Sequence, residues 1–383
     1  MMTLMHRALR CSLLGLAAQT VASPVFAQAT TPIPLTADAW DLEGLPGEFT
    51  TYRGAPALRL GVFPLGPEHA VATPRDFAFG DGTLEFDFAP TDSSGFAALH
   101  FRRASPGNSE HVYLRNFFPG ERRVNETFQY AAVVDGVNYW DLSPEFQAAV
   151  EIDTAGWNHV KLVVRGRQLL AYVNDDARPV LYVPRLDGPA GEGGVGFAGA
   201  GYYANLAFTP RTEGLAGGEG YDPTLGDGRY LRRWRLAPPR PIEPTRALST
   251  LELPDSAAFT DEIAAERLGL VNLSRPFGKT AEGERRVVWL RQTVTSATVR
   301  EVEVDLGFSD DVAVWVNGRL AYVDENAYGT PQMKYPRGRL SVDNARVRLP
   351  LEAGENEVTV AVANDFFGWG LVMRVRDTAG LGW

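Results

Sequence analysis

Residues 157–175 read WNHVKLVVRGRQLLAYVND, and the way this stretch pairs decides the fold. It divides into two runs, Trp157 to Arg165 and Leu169 to Asn174, with β-branched or aromatic residues recurring at every second place. That is the period of a half-buried strand, and Asn174-Asp175-Asp176 supplies a turn after the second run. The same pattern extends outward from Trp40 to about Pro210. It covers Thr83 to Phe88, Phe96 to Arg102, His111 to Asn116, Thr127 to Val134 and Gly194 to Phe197, with Gly, Pro, Asn and Asp between the runs. Short strands at regular spacing predict an all-β sandwich.

A Gly-rich, polar stretch follows, TPRTEGLAGGEGYDPTLGDG, in which apolar periodicity stops. It reads as a linker over residues 211–229, between one domain at 35–210 and another at 230–383. Arg232 to Pro244 holds four prolines and is expected to be extended. Thr260 or Asp261 can cap a short helix over Asp261 to Leu268. Strand patterns then resume at Val287 to Val294, Val299 to Leu306, Val312 to Val316, Arg346 to Leu349, Glu357 to Ala363 and Leu371 to Arg376. The expected fold class is therefore all-β, two β-sandwich jelly-roll domains joined by a Gly-rich linker.

The first domain resembles the concanavalin A-like lectin/glucanase superfamily in its laminin G-like form. The resemblance is carried by GTLEFDF, SSGFAALHFRR, HVYLRNF, FQYAAVVDGVNYWDL, WNHVKLVVRGRQLLAYVND and GGVGFAGAGYYANLAF, across about 170 residues. The order of these segments is also similar to the 3-keto-disaccharide hydrolase branch of that fold. The second domain resembles a galactose-binding-like jelly roll, through GFSDDVAVWVNGRLAYVDENAYG, VRLPLEAGENEVTVAVAND and FFGWGLVMRVRD. Its Asn317-Gly318 turn needs positive φ and should link two strands. Folds of this kind host unrelated functions, so chemistry has to be argued from side chains.

Glu85 and Asp87 are the first candidates. Glucanases of this fold carry Glu-x-Asp-x-x-Glu, but here the last position is Pro90, so the second glutamate of that mechanism is missing. Alternation places Glu85 and Asp87 on the polar face of their strand, opposite Leu84, Phe86 and Phe88. If neighbouring strands align, His100, Arg102, Tyr113, Arg115 and Gln129 join them on one sheet surface, with Tyr130 or Trp140 available to stack on a sugar ring. Such a face can hydrogen-bond sugar hydroxyls or an acidic sugar; it is equally a set of cross-strand salt bridges. In the second domain Asp310, Asp311, Trp315, Tyr322, Asn326, Tyr328 and Trp369 are candidates, Trp369 because flanking glycines free its indole. Asp310 and Asp311 suit calcium, yet a site needs ~6 to 8 oxygens, so structural calcium stays an option and no metal site is assigned.

The opening segment has Arg7 and Arg10, an apolar stretch through Leu13, Leu14 and Leu16, and small residues up to Ala27. That layout predicts an export signal over residues 1–27 and a periplasmic or extracellular destination. Its apolar part is shorter than the ~20 residues of a bilayer span, and no other stretch approaches that length. Cys11 is the single cysteine, so the mature chain has no disulfide and relies on its cores. The formal net charge of −10, or −12 without Arg7 and Arg10, excludes a basic footprint for nucleic acid. The leading expectation is a non-catalytic, exported glycan-binding protein. A glycoside-cleaving enzyme using Glu85 or Asp87, with Arg102, Arg115 and Gln129 as holders, and a structural or adhesion module are the alternatives.

Overall fold

The computed structural model describes residues 29–61, 70–91, 94–115 and 126–383. The expected export signal lies outside them, as does Asn116. Two β-sandwiches account for most of the described residues, and all strand pairs named below are antiparallel.

In the first sandwich, one sheet runs Leu181–Val183, Gln168–Val173, Asn158–Arg165, Gly82–Ala89, Gly201–Thr209, Ala55–Leu60, Gly47–Tyr52. The facing sheet runs Val137–Asn138, Phe128–Val134, Asn108–Arg115, Phe96–Ser105, Gly193–Ala198, Ala78–Phe79. We call these the Asp87 sheet and the His100 sheet. Alternation builds the core between them: Leu84, Phe86 and Phe88 with Val160, Leu162 and Val164 from one side, Leu99, Phe101, Val112 and Leu114 from the other. The opening stretch is the hairpin it promised, with Val160 opposite Val173 and Arg165 opposite Gln168. Its two-residue turn has Gly166 at φ +54, and a Cβ there would stand 2.3 Å from Gly218 O. Glycine is thus required both for the turn and for the close pass of the connecting segment.

That segment forms no strand between Thr209 and Arg233. It is tied to the first sandwich by Arg167 N to Gly218 O (2.7 Å) and Gly217 N to Gln168 Oε1 (2.8 Å).

The second sandwich has one sheet ordered Asp261–Ala264, Arg233–Ile242, Arg285–Ser296, Gly354–Asn364, Asp311–Val316, Arg319–Glu325, and another ordered Val271–Asn272, Gly370–Val375, Arg300–Ser309, Ala345–Leu351. Asn317 (φ +51) and Gly318 (φ +78) make the expected turn between Asp311–Val316 and Arg319–Glu325. The helix expected over Asp261 to Leu268 is a correction. Asp261–Ala264 is an edge strand with Ile263 opposite Trp234, followed by a 3-10 turn at Arg267–Gly269. Pairing with an available sheet edge and partial burial of Ile263 outweighed the local capping signal.

The two sandwiches meet through an apolar cluster in which Ala132, Val137, Tyr139 and Leu142 pack with Tyr230, Leu270, Leu340 and Val372. Beside it Arg267 forks onto Asp187 (2.6 and 2.9 Å) and also reaches Glu145 and Ser143 Oγ. No helix among the described residues is long and apolar enough to cross a membrane.

Candidate functional site

Register separates the residues that the sequence placed on one surface. Glu85 and Asp87 lie on the Asp87 sheet, whereas His100, Tyr113, Arg115 and Gln129 lie on the His100 sheet. The core stands between the two groups. The joint surface expected from the sequence is therefore corrected, and an acid from the Gly82–Ala89 strand is not brought to Arg115 and Gln129.

Asp87 pairs across strands with His159 and Glu85 with Lys161. His159 Nδ1 donates to Asp87 Oδ1 (2.8 Å), and Asn205 Nδ2 donates to Asp87 Oδ2 (2.6 Å). Burial alone would raise the Asp87 pKa, but these two hydrogen bonds and the nearby imidazole outweigh it and hold the carboxyl below its ordinary range. The same bond to Asp87 raises His159, against partial burial. Glu85, His159 and Asp176 bring ligand atoms within 4.8 Å of one another. However, the Lys161 ammonium sits 2.9 Å from Asp176 Oδ1, and its charge opposes a cation there.

The outer face of the His100 sheet is ordered in rows. One row is Gly196, His100, His111, Ala131, and the next is Ala198, Ala98, Tyr113, Gln129. The small residues leave room for the rings, so His100 stacks on His111 (4.9 Å between centroids) and His111 on Tyr113 (5.3 Å). Tyr113 OH donates to Gln129 Oε1 (2.7 Å) and accepts from Arg115 Nη2 (2.7 Å). Arg115 also reaches Gln129 Oε1, and Gln129 Nε2 donates to Trp140 O (2.7 Å). Burial raises the Tyr113 pKa despite Arg115 and Arg339 nearby, which keeps the phenol a donor.

At the end of this row the two sandwiches share an aromatic cluster. Trp140, half-buried, meets Tyr328 (5.2 Å), Phe366 (6.3 Å) and Phe367 (5.9 Å) edge-on, and Tyr328 stacks with Phe366 (6.0 Å). Tyr328, Phe366 and Phe96 each expose part of their ring, and Phe96 lies 6.1 Å from Tyr113, so aromatic surface reaches solvent beside the Tyr113–Gln129–Arg115 row; we call this edge the mouth. Below it Glu126 is approached by Arg339 Nη2 (3.1 Å), Arg115 Nη1 (3.9 Å) and Arg337 Nε (3.9 Å).

Other expected site residues sit elsewhere. Arg102 has φ +49 at an irregularity in its strand, and its side chain leaves the His100 row to bind Gly80 O (3.0 Å) and Asp81 (2.8 Å). There it lines a cavity of about 360 Å³ with Arg167, Glu192, Glu219 and several glycines. Tyr130 points into the core and donates to Glu110 (2.7 Å), so it is not available for stacking. Trp369 is fully buried in the second core, its indole donating to Gly278 O (2.9 Å). The flanking glycines therefore serve close packing: a Cβ on Gly368 would stand 2.7 Å from Asp141 Oδ1.

Trp315 packs against Trp289 (5.1 Å), and Tyr322 binds Asp324. Asp310 accepts from Asn364 Nδ2, Asp365 N and Phe366 N, while Asp311 pairs with Arg285. The oxygens of these two acids are thus turned to separate protein partners. Asn326 is buried and fixes the loop around it, donating to Phe308 O and Arg339 O and accepting from Lys334 N.

The residues missed by sequence reasoning are Phe366, Phe367, Glu126, Arg337 and Arg339 at the mouth, and His159 beside Asp87. His159 meets Asp87 only through the long-range pairing of Asn158–Arg165 with Gly82–Ala89, and the others carry no local motif.

No family model matches the sequence, and no curated protein matches it. Similar solved structures include a carbohydrate-binding module, CBM66, from Bacillus subtilis (16% identity, TM-score 0.31, covering 44% of this chain and 93% of that one). They also include a Bacillus licheniformis β-glucanase (13%, TM-score 0.32, 49% and 100%) and the exoplasmic/lumenal domain of VIP36 (13%, TM-score 0.32, 52% and 92%). These are a carbohydrate-binding module, a β-glucanase and a domain in its Ca2+/Man3GlcNAc-bound form, each matching about half of this chain.

Proposed function

We propose that the protein is an exported, non-catalytic carbohydrate-binding protein that seats a glycan at the mouth formed by Trp140, Tyr328, Phe366 and Phe96. A pyranose ring offers an apolar C–H face and a rim of hydroxyls, so its binding sites combine an aromatic surface with fixed polar groups. The observation that carries the reading is the link between the two at Trp140. Its ring joins the aromatic cluster while its carbonyl accepts from Gln129, the centre of the Tyr113–Gln129–Arg115 row. In this reading the C-terminal sandwich, which resembles a galactose-binding-like jelly roll, supplies one wall of the site through Tyr328 and Phe366. Export rests on the arrangement of the opening residues.

The test is a screen of the full mature chain against a broad glycan panel, with product analysis of every sugar retained. Binding with each sugar recovered intact is the expected result. Failure to retain any glycan overturns the binding reading, and recovery of cleaved sugar overturns the non-catalytic part.

A further inference from the structure

Three guanidinium groups converge on one carboxylate beneath the mouth. Arg115 comes from the first sandwich, Arg337 and Arg339 from the segment between Arg319–Glu325 and Ala345–Leu351, and Glu126 stands between them. Arg339 and Arg115 are buried, whereas the Arg337 side chain is 43% exposed on the solvent side. Among the described residues nothing accepts a hydrogen bond from Arg339 Nε or Nη1, or from Arg115 Nε. Buried guanidinium N–H groups without acceptors are costly, and like charges held close together repel.

Among the described residues, the other acids nearby do not cancel this charge. Asp141 is buried, and burial pushes its pKa well above the carboxylate range even with Arg339 close by. Asp310 is turned to the backbone of the Phe366 loop and is likewise raised by burial. Counting Asp141 as ionised still leaves three positive charges against two negative ones. This is a positive spot in a chain whose net charge is −10.

It is also rigidly held. Asn326 and Asn344 both donate to Arg339 O (3.2 and 3.0 Å), fixing the segment, and the Arg339 guanidinium lies 5.0 Å from the Trp140 ring centroid. The positive charge is therefore directly under the indole proposed to meet the sugar. Guanidinium groups fixed before binding select planar or tetrahedral oxyanions, since no reorganisation is needed when the anion arrives.

We infer that the glycan is acidic, carrying a carboxylate or sulfate that sits against Arg337 with Arg339 and Arg115 behind it. This rests on the glycan-binding reading above and narrows it to a ligand class. The anion supplies the negative charge that Glu126 alone does not, and Arg337 is the group it touches first.

The test is calorimetric titration of the full mature chain with matched oligosaccharide pairs: uronate-bearing against carboxyl-reduced, sialylated against desialylated, and sulfated against desulfated. At least one acidic member should bind on the order of tenfold or more tighter than its neutral partner, the equivalent of one charge-assisted hydrogen bond. Which pair shows the gap identifies the anion. Arg337→Gln, a change at an exposed side chain, should close the gap between the acidic and neutral members of the pair. Equal binding within every pair, or an Arg337→Gln variant that keeps the full preference, overturns the inference and leaves glycan binding standing. Absence of binding by every member of every pair overturns both readings.

Discussion

Asp87 and Gln129 are each polar residues flanked by apolar ones in strands of the same fold, yet their surroundings give them different work. Asp87 faces outward beside His159 and Asn205, and both of its oxygens are taken by these partners. Gln129 is buried and holds Tyr113, Arg115 and Trp140 in one row. The Asp87–His159 pair has a defined pH window. His159 is raised above 6.5, so its share of stability is present below that value and is lost as pH rises through its folded pKa. Asp87 is lowered from 3.8, so its share is lost as pH falls below that value. An NMR titration should therefore find the His159 imidazole above 6.5 in the wild type and closer to 6.5 in Asp87→Asn. Identical titration curves would show that the pair is not formed.

At the scale of the element, one strand carries both the site and a buried acid. Asn108–Arg115 sends His111, Tyr113 and Arg115 outward and Glu110, Val112 and Leu114 inward. Glu110 is fully buried, and burial pushes its pKa up to about 7 against the hydrogen bond from Tyr130 and the charges of Arg167 and Arg102. The folded protein keeps a proton there that the unfolded chain has released. Glu110's contribution is therefore fully present below about 4.5 and is lost as pH rises toward 7. Denaturant unfolding between those pH values should show the wild type losing on the order of 3 kcal/mol more than Glu110→Gln. Parallel curves would contradict this environment for Glu110.

The strands themselves were legible because alternation fixes which side is buried, and the Trp157–Asp175 hairpin and the Asn317-Gly318 turn followed from short-range patterns. Tyr130, which the sequence offered for stacking, shares its side with the buried Phe128, so the same alternation already argued against it. The helix over Asp261 to Leu268 failed because its capping residues say nothing about the vacant sheet edge offered by the preceding strand, Arg233–Ile242.

For the whole molecule, the least legible feature was which sheet each strand joins. Period-two patterning gives a strand two faces and no address, so Glu85 and Asp87 were grouped with residues that the sandwich core separates from them. The mouth was harder still, because Trp140 and Phe366 come from different sandwiches and meet only through packing. Arg267, between Asp187, Glu145 and Ser143, helps set that packing; a buried charge so paired is costly to leave alone, which disfavours separation of the halves.

The central claim is that sugar binds at the shared mouth and not beside the paired acids of the Asp87 sheet. It is tested by measuring, with the tightest-binding glycan from the panel, the affinities of wild type, Trp140→Ala and the double variant Glu85→Gln/Asp87→Asn. Loss of one stacking and cation–π partner should weaken Trp140→Ala by about tenfold or more, while the double variant binds as the wild type does. Retained affinity in Trp140→Ala together with loss in the double variant would contradict the account.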